Sequence, residues 1–307
     1  MGKFMLLACL FFAAILGLLS HAGICQEYAM AGLEVWFYHM IPALLPMMIL
    51  SGIVIRMGLA DRFAGLFAPF LGHICNCSPS ACYCIFMGFL CGFPMGARTV
   101  AQLYEAGKLT KTDARWLLSF CNNLGPAYLL GYVIPLLGIQ SPLPILLGAY
   151  GIPFAYGILM RYTLYRREKP NNCHLEHFSQ EFSEALSDSI VSSVNGMLWL
   201  GGYVIFFCLW NLLPRLFLKQ SAAIYCGILF EITTGLKMLG KQCPILSLVA
   251  VSFGGFSCMA QTYGAIQNTD LKTYFREYIL HKMLLTVLTL GYYWSLSLFF
   301  IRFSLIR

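Results

Sequence analysis

Residues 116–137, 143–160 and 197–213 are apolar runs close to the length of a membrane crossing, and nothing else in the sequence limits the fold so strongly. A helix needs about 20 predominantly apolar residues to cross the hydrocarbon core. Lipid offers no partner to a backbone N–H or C=O, so each crossing must satisfy its own polar groups, as a helix does. The composition agrees: 59% of residues are hydrophobic and 11% are charged, where a soluble chain carries roughly 25% charged residues. The sequence therefore predicts an all-α, polytopic membrane protein. Its net charge of +7 does not point to nucleic acid. The basic residues stand at the ends of apolar runs, where they set topology and meet anionic lipid.

Charge then orders the crossings. The apolar run at residues 4–19 follows Lys3 and reads as a retained transmembrane helix within an N-terminal unit, residues 1–25. It is not read as a cleaved leader, because His21 spoils the small-residue pattern SHA. Residues 26–36 carry Glu27 and Glu34 but no lysine or arginine, and suit the non-cytoplasmic side. Residues 41–57 return inward to Arg56 and Arg62, and residues 63–71 form a short interfacial piece. RYTLYRREK, with Arg161, Arg166, Arg167 and Lys169, is the most basic loop and is cytoplasmic by the positive-inside rule.

Between Arg62 and the inward group Lys108, Lys111 and Arg115 lies GFLCGFPMGAR, three glycines, a proline and an arginine in an apolar stretch. A segment that starts and ends on one side must turn back, so residues 81–106 are expected to form a re-entrant hairpin. Irregular backbone at membrane depth survives only when buried in protein or lining a cavity. Gly92 supplies the unusual dihedrals of the turn. Pro94 suits the first position of a new helix, where its missing N–H is not needed.

The pattern recurs after a cytoplasmic linker, residues 166–180. Set against each other, GFPMGARTVAQ and GFSCMAQTYG share Gly92/Gly255, Phe93/Phe256, Ala97/Ala260 and Thr99/Thr262. This predicts two inverted repeats, residues 26–165 and 181–307, each with a re-entrant hairpin and broken helices, as in many secondary transporters. The second hairpin is then expected at Gly254–Gly255. That arrangement leaves Arg215, Lys219, Lys237, Lys241, Lys272, Arg276 and Lys282 outside or at depth, against the positive-inside rule.

Helix starts are expected at Pro94, at Pro126 after the break in SFCNNLGPAYLL, and near Ser257 acting as an N-cap. A helix N-terminus attracts anions through unpaired N–H groups and its dipole. Gly92, Pro94, Gly96, Arg98, Thr99, Asn122, Asn123, Ser257, Gln261 and Thr262 are the candidate ligand-binding residues, suited to a small polar solute with carboxylates. Glu231, in FEITTG, is a charge inside an apolar segment and a functional candidate by default. With Thr233 and Thr234, in what reads as another unwound turn, it is the candidate for a coupling proton or sodium ion, or for pairing with Arg98. Structural readings compete with each of these. Arg98 can reach the interface or pair with Glu105, and Asn122 and Asn123 can simply tie helices together.

No enzyme motif competes, since there is no Walker loop, no H-E-x-x-H and no G-x-S-x-G. No cofactor is implied. Most of the 13 cysteines lie in apolar segments, including Cys9, Cys84, Cys91, Cys121, Cys208 and Cys226, and read as reduced small hydrophobes. CNCSPSACYC, with Cys75, Cys77, Cys82 and Cys84 beside His73, has C-x-C spacing rather than the C-x-x-C pairs of a metal knuckle. It reads as an interfacial loop entering an apolar helix. Cys173, His174 and His177 read as part of the solvated linker.

AGLEVWFYHMIPALLPMMILSGI, the block MGFLCGFPMGARTVAQLYEAGKLTKTDARWLLSFCNNLGPAYLLG, LFEITTG and SFGGFSCMAQ resemble, in that order, the sporulation membrane proteins of the nucleoside-recognition (Gate) family. The resemblance covers nearly the whole chain. It implies a plan similar to concentrative nucleoside transporters, with paired hairpins and broken helices. Its sporulation branch is implicated in moving dipicolinic acid across the outer forespore membrane of endospore formers, and a multi-pass location there is the expectation. Cys91 and Phe93 replace the serine and tyrosine usual in the family's hairpin, and Leu124 replaces a serine after the asparagines. The expected partners are the lipid bilayer and a small anionic substrate, with self-association left open. A nucleoside carrier and a non-transporting scaffold for spore assembly are the rival expectations.

Overall fold

The computed structural model describes residues 2–166 and 180–304. The expectations placed on Arg167, Lys169, Cys173, His174 and His177 lie outside the described residues. Among the described residues all regular structure is helical. Four helical runs among them are long and apolar enough to cross a membrane. They are α2 (Ala22–Arg56), α7 (Pro142–Thr163), α8 (Phe182–Phe217) and the pair α11 (Pro244–Phe253) and α12 (Gly255–Ile266) taken together. The protein is an all-α, multi-pass membrane protein. α1 (Gly2–Ser20) is apolar and exposed on every side, with Phe4, Leu10 and Leu19 among the most exposed side chains, as a helix surrounded by lipid would be.

Residues 26–36, expected on the non-cytoplasmic side, are helical within α2. No proline interrupts Ala22–Val35, and both glutamates find cations. Three helices widen into π-turns, at Val35–Met40, Leu129–Val133 and Leu147–Gly151. Each π-turn runs into an Ile-Pro pair, Ile41-Pro42, Ile134-Pro135 or Ile152-Pro153. Proline has no N–H to give and its ring crowds the carbonyl four residues back, so a locally wider turn relieves the clash.

The first hairpin is present. After short helices at Ala60–Ala64 and Ala68–Cys75, the chain bends by 98° into α3 (Pro79–Cys91), capped by the Ser78 hydroxyl accepting from Ala81 N–H. It turns back as α4 (Met95–Glu105), packed against α3. α5 (Lys111–Leu118), an irregular stretch and α6 (Pro126–Leu137) then form a broken crossing. The four cysteines of CNCSPSACYC are buried where this hairpin begins, with Cys77 and Cys82 sulfurs 3.5 Å apart. Among the described residues no three His, Cys, Asp or Glu side chains are grouped to hold a metal ion.

The second fold-back lies elsewhere than the sequence suggested. α9 (Gln220–Phe230) and α10 (Ile232–Leu239) fold against each other about Glu231. They pack so closely that a Cβ on Gly235 would lie 2.3 Å from the Ile228 Cα. α11 and α12 do not reverse; they continue as a 23-residue run interrupted at Gly254. Gly254 and Gly255, at φ +83° and +76°, break the hydrogen-bond ladder there without turning the chain round. The Gly92/Gly255 alignment therefore pairs a hairpin tip with a broken crossing.

Ion pairs mark the two ends of the molecule. At one end Arg56 meets Asp188 at 3.4 Å, Lys108 meets Asp61 at 3.3 Å, and Arg115 meets Glu277 at 2.8 Å. Lys111 pairs with Asp270 there as well. At the other end Arg215 faces Glu27 at 3.9 Å and Lys237 faces Glu34 at 3.6 Å. The last helix, α13 (Phe275–Ser304), starts at the first end, through Glu277. Lys272 and Arg276, expected outside or at depth, therefore sit beside the segment 108–115.

Candidate functional site

The hairpin tip is built around glycine. Gly92 sits at φ +82°, a region closed to other residues, and ends α3. Pro94 takes the cap position one residue before α4, not the first helical position. Gly88, Gly92 and Gly96 together accept the irregular stretch 121–125. A Cβ on Gly88 or Gly96 would lie 2.2 or 2.4 Å from the Cys121 carbonyl oxygen, and one on Gly92 would lie 2.2 Å from the Gly125 nitrogen. Main chain thus lies on main chain, which is why this part of an apolar segment carries so many glycines. The N–H groups of Met95 and Gly96 donate to the Gly92 carbonyl, so the start of α4 is partly satisfied from within.

The irregular stretch brings the two asparagines into contact with the second half. Asn122 Nδ2 donates to Thr262 Oγ1 at 2.7 Å and to the Tyr278 hydroxyl at 3.3 Å. Asn123 Nδ2 donates to the Phe120 carbonyl at 2.6 Å. Lys282, on α13 and only 3% exposed, donates to the Asn122 carbonyl at 2.7 Å and to Asn123 Oδ1 at 3.4 Å. Its ammonium also lies 4.6 Å from the centre of the Phe93 ring at the hairpin tip. No carboxylate pairs with it among the described residues. Lys282 and Tyr278 carry the site without having been singled out from sequence. The available signal was a lysine within the apolar run YILHKMLLTVLTL, a default functional position in a membrane.

The second-half breaks close around the same place. A Cβ on Gly254 would be 2.9 Å from the tip of the Phe93 ring. Gly255 lies against the carbonyls of Ile228, Leu229 and Phe230, at the end of α9. α12 begins at Gly255, so Ser257 is not its N-cap; it is fully buried and accepts from Gln261 Nε2 at 2.9 Å. Thr262 Oγ1 donates to the Cys258 carbonyl at 2.8 Å. Asn122 Oδ1, Gln261 Oε1, Thr99 Oγ1 and the Tyr128 hydroxyl are buried without a hydrogen-bond partner among the described residues.

Glu231 is the tip of the second fold-back. It is extended (φ −141°, ψ 118°), 1% exposed, and caps α10: its carboxylate accepts from Thr234 N–H at 2.7 Å and from the Thr233 and Thr234 hydroxyls. Three donors and a helix N-terminus hold the charge where lipid would not. The unwound residue is Glu231 itself, since Thr233, Thr234 and Gly235 lie in the first turns of α10. Arg98 has other partners than those expected. Its Nη2 donates to the Ser192 carbonyl at 2.9 Å and to the Ser192 hydroxyl at 2.7 Å, tying α4 to α8 rather than pairing with Glu231 or Glu105.

The structure thus joins Gly92, Gly96, Asn122, Asn123 and Thr262, with Lys282 and Tyr278, into one buried junction. It assigns Arg98 to a helix contact. A groove of about 1100 Å³ lies nearby, lined by Tyr203, Phe207, Phe253, Phe256, Met259 and Tyr263 among others. Its walls are almost wholly apolar, and it is no place for a polar solute. The polar groups at the junction bond chiefly to one another, which is a closed arrangement.

Comparison with known proteins returns the resemblance read from the sequence. Residues 37–140 match the family described as Gate, nucleoside recognition. That range holds the whole first hairpin, the Cys121–Gly125 break and all of α6. The chain is also similar to the sporulation integral membrane protein YlbJ of Bacillus subtilis (strain 168), with 27% identity over 327 residues. That alignment covers 91% of this chain and 79% of YlbJ. No solved structure matches.

Proposed function

We propose that this multi-pass membrane protein, whose residues 37–140 are a Gate nucleoside-recognition region, carries a small anionic solute across a membrane of the sporulating cell. The single observation behind this reading is Lys282: a buried ammonium without a carboxylate partner among the described residues, where chain breaks from both halves meet. A membrane-buried charge is retained at a cost of several kcal/mol and marks a substrate or ion pathway. Dipicolinate, a flat aromatic ring with two carboxylates, suits an ammonium beside an aromatic ring and a cluster of amide and hydroxyl groups. The outer forespore membrane is the proposed location, resting on the likeness to a sporulation membrane protein.

Alternating access is the proposed mechanism. One hairpin, α3–α4, is tied to the end marked by Asp61, through Ser80 and Lys108. The other, α9–α10, is tied to the end marked by Glu27 and Glu34. Insertion from opposite ends supports inverted repeats, with units near 26–165 and 181–307 flanking the 166–180 linker, and rocking of one unit on the other would open each side in turn. Gly92, Pro94 and Gly96 shape the tip, while Asn122, Asn123, Gln261, Thr262 and Lys282 face the solute. Glu231 with Thr233 and Thr234 is the proposed coupling group. Arg98, Thr99 and Ser257 hold the surrounding helices.

Two other readings have an observation each. The Gate match favours a nucleoside, and the mutual bonding of the junction's polar groups favours a non-transporting scaffold for spore assembly. Purified protein in liposomes, offered labelled dipicolinate and labelled uridine in parallel, separates the three. Uptake of dipicolinate that is abolished by Lys282→Ala supports the anion carrier. Uptake of uridine alone would replace it with the nucleoside reading. Neither solute entering, from protein that inserts normally, would leave the scaffold.

A further inference from the structure

We propose that the Lys282 ammonium occupies the position that a coupling sodium ion takes in carriers built from broken helices, so that this chain works without sodium. In such carriers the ion is held by the carbonyls of unwound backbone and by the negative C-terminal end of a half-helix. Here α5 ends at Leu118, and the unwound stretch that follows offers the Asn122 carbonyl and Asn123 Oδ1. These are neutral oxygens suited to a single positive charge, and the ammonium takes both. Asn122 Oδ1, on the same residue, is a third buried oxygen with no donor among the described residues.

The tether is what makes the arrangement informative. The oxygens belong to the first-half break, whereas Lys282 belongs to α13 at the end of the chain. Movement of one half against the other must break or remake this contact, as binding and release of an ion would. A sodium ion leaves the site on release; a lysine stays tethered to α13. The carrier reading gives this inference its functional meaning, but cation preference can be measured without any solute.

The test uses the full chain in detergent and in liposomes. Thermal unfolding is followed in sodium, potassium and choline chloride at equal ionic strength, for wild type and for Lys282→Ala. Wild type is expected to melt at one temperature in all three salts. Lys282→Ala is expected to melt lower in choline and to be restored in part by sodium alone, because the vacated oxygens then accept the ion. In liposomes, wild-type dipicolinate uptake in choline should fall within about twofold of that in sodium, less than the tenfold that 1.4 kcal/mol of coupling would give. Sodium-specific stabilisation of wild type, sodium-dependent wild-type uptake, or a Lys282→Ala protein indifferent to sodium would each overturn the inference. If Lys282→Ala does not fold, Lys282→Met keeps the aliphatic stem and is read the same way, and the wild-type arms decide alone. Absence of dipicolinate uptake would count against the carrier reading, while the melting data still decide the cation question.

Discussion

Gly96→Ala isolates the close approach between the first hairpin and the broken crossing. Gly96 has ordinary helical dihedrals, so adding a methyl strains no backbone angle at that position. The new Cβ would stand 2.4 Å from the Cys121 carbonyl oxygen and 3.1 Å from its carbon. Ordinary carbon–oxygen contacts lie near 3.3 Å, so one chain must retreat by roughly 0.9 Å. Both partners are main chain, and neither can swing aside as a side chain would. Overpacking of this kind costs up to about 3 kcal/mol, offset by the roughly 1 kcal/mol that alanine gains over glycine in a helix. A net loss of about 2 kcal/mol is expected.

The displaced stretch also carries the Asn122 carbonyl that Lys282 binds, so uptake should fall together with stability. Gly202→Ala is the control, since nothing lies within 4 Å of a Cβ there. It should melt at or slightly above wild type. The assay is thermal unfolding in detergent, where 2 kcal/mol corresponds to roughly 3 °C by the scaling of soluble domains, run beside dipicolinate uptake in liposomes. If Gly96→Ala melts with wild type and transports at the wild-type rate, the main-chain cradle is not what the glycines are for.

Glu231→Ala leaves Thr234 N–H and two buried hydroxyls without their acceptor and should destabilise by about 2–4 kcal/mol. Glu231→Gln keeps an acceptor and should fold nearly as well while losing coupled uptake; if both variants lose stability and uptake in the same proportion, Glu231 is a cap and no more. Arg161 is fully buried, pairs with Asp113 at 2.8 Å and stacks on Trp116 at 4.5 Å, so Arg161→Met, which strands a buried carboxylate, should cost about 3–5 kcal/mol in unfolding measurements. At the exposed end, the hydrogen bond from Lys111 holds Asp270 below the usual carboxylate range. Its contribution is therefore present above the unfolded carboxylate pKa and lost as pH falls through the depressed value. Melting curves of Asp270→Asn between pH 7 and pH 2 should lose part of the acid sensitivity of wild type, and identical acid profiles would remove the pair from the account.

The first half was largely legible in the sequence because its signals are local. Charges on both sides of residues 81–106 required a fold-back, and glycine with proline marked its tip. The meeting of Asn122 with Thr262 was within reach for the same reason, since each stands in a visible break. Lys282 was harder, because what makes it unusual is the absence of a carboxylate nearby, and only the packed structure shows what surrounds a side chain. Arg98 misled in the opposite direction: its place near the tip suggested a ligand contact, but an arginine reaches far enough to bond Ser192 on α8. The second hairpin was assigned to Gly254–Gly255 on a few shared residues. A glycine pair can interrupt a helix without reversing it, and composition cannot tell these outcomes apart.

Moving the second fold-back to Glu231 also reduces the charge conflict that the sequence presented. A reversal at Gly254 would strand Lys272 and Arg276 on the side where lysine and arginine are disfavoured. With α11 and α12 crossing instead, those residues arrive at the end that already holds Arg56, Lys108 and Lys111, where Asp270 meets Lys111. Of the cations left at the opposite end, Arg215 and Lys237 face Glu27 and Glu34. Those glutamates lie in the stretch that carries no positive charge of its own, so the acidic run near the start of α2 is matched to basic residues some 200 positions later. The same rearrangement sets a hairpin before a broken crossing in each half, α3–α4 before α5–α6 and α9–α10 before α11–α12. Asn122 and Gly254 then hold corresponding places, each in the break of its crossing and each against the opposite half, Asn122 against Thr262 and Gly254 against Phe93. One half supplies amides and carbonyls at its break and the other supplies glycine, so the junction is asymmetric. A carrier that must recognise one end of a solute differently from the other gains from that asymmetry, and a single lysine reaching into it from α13 fixes which half holds the charge.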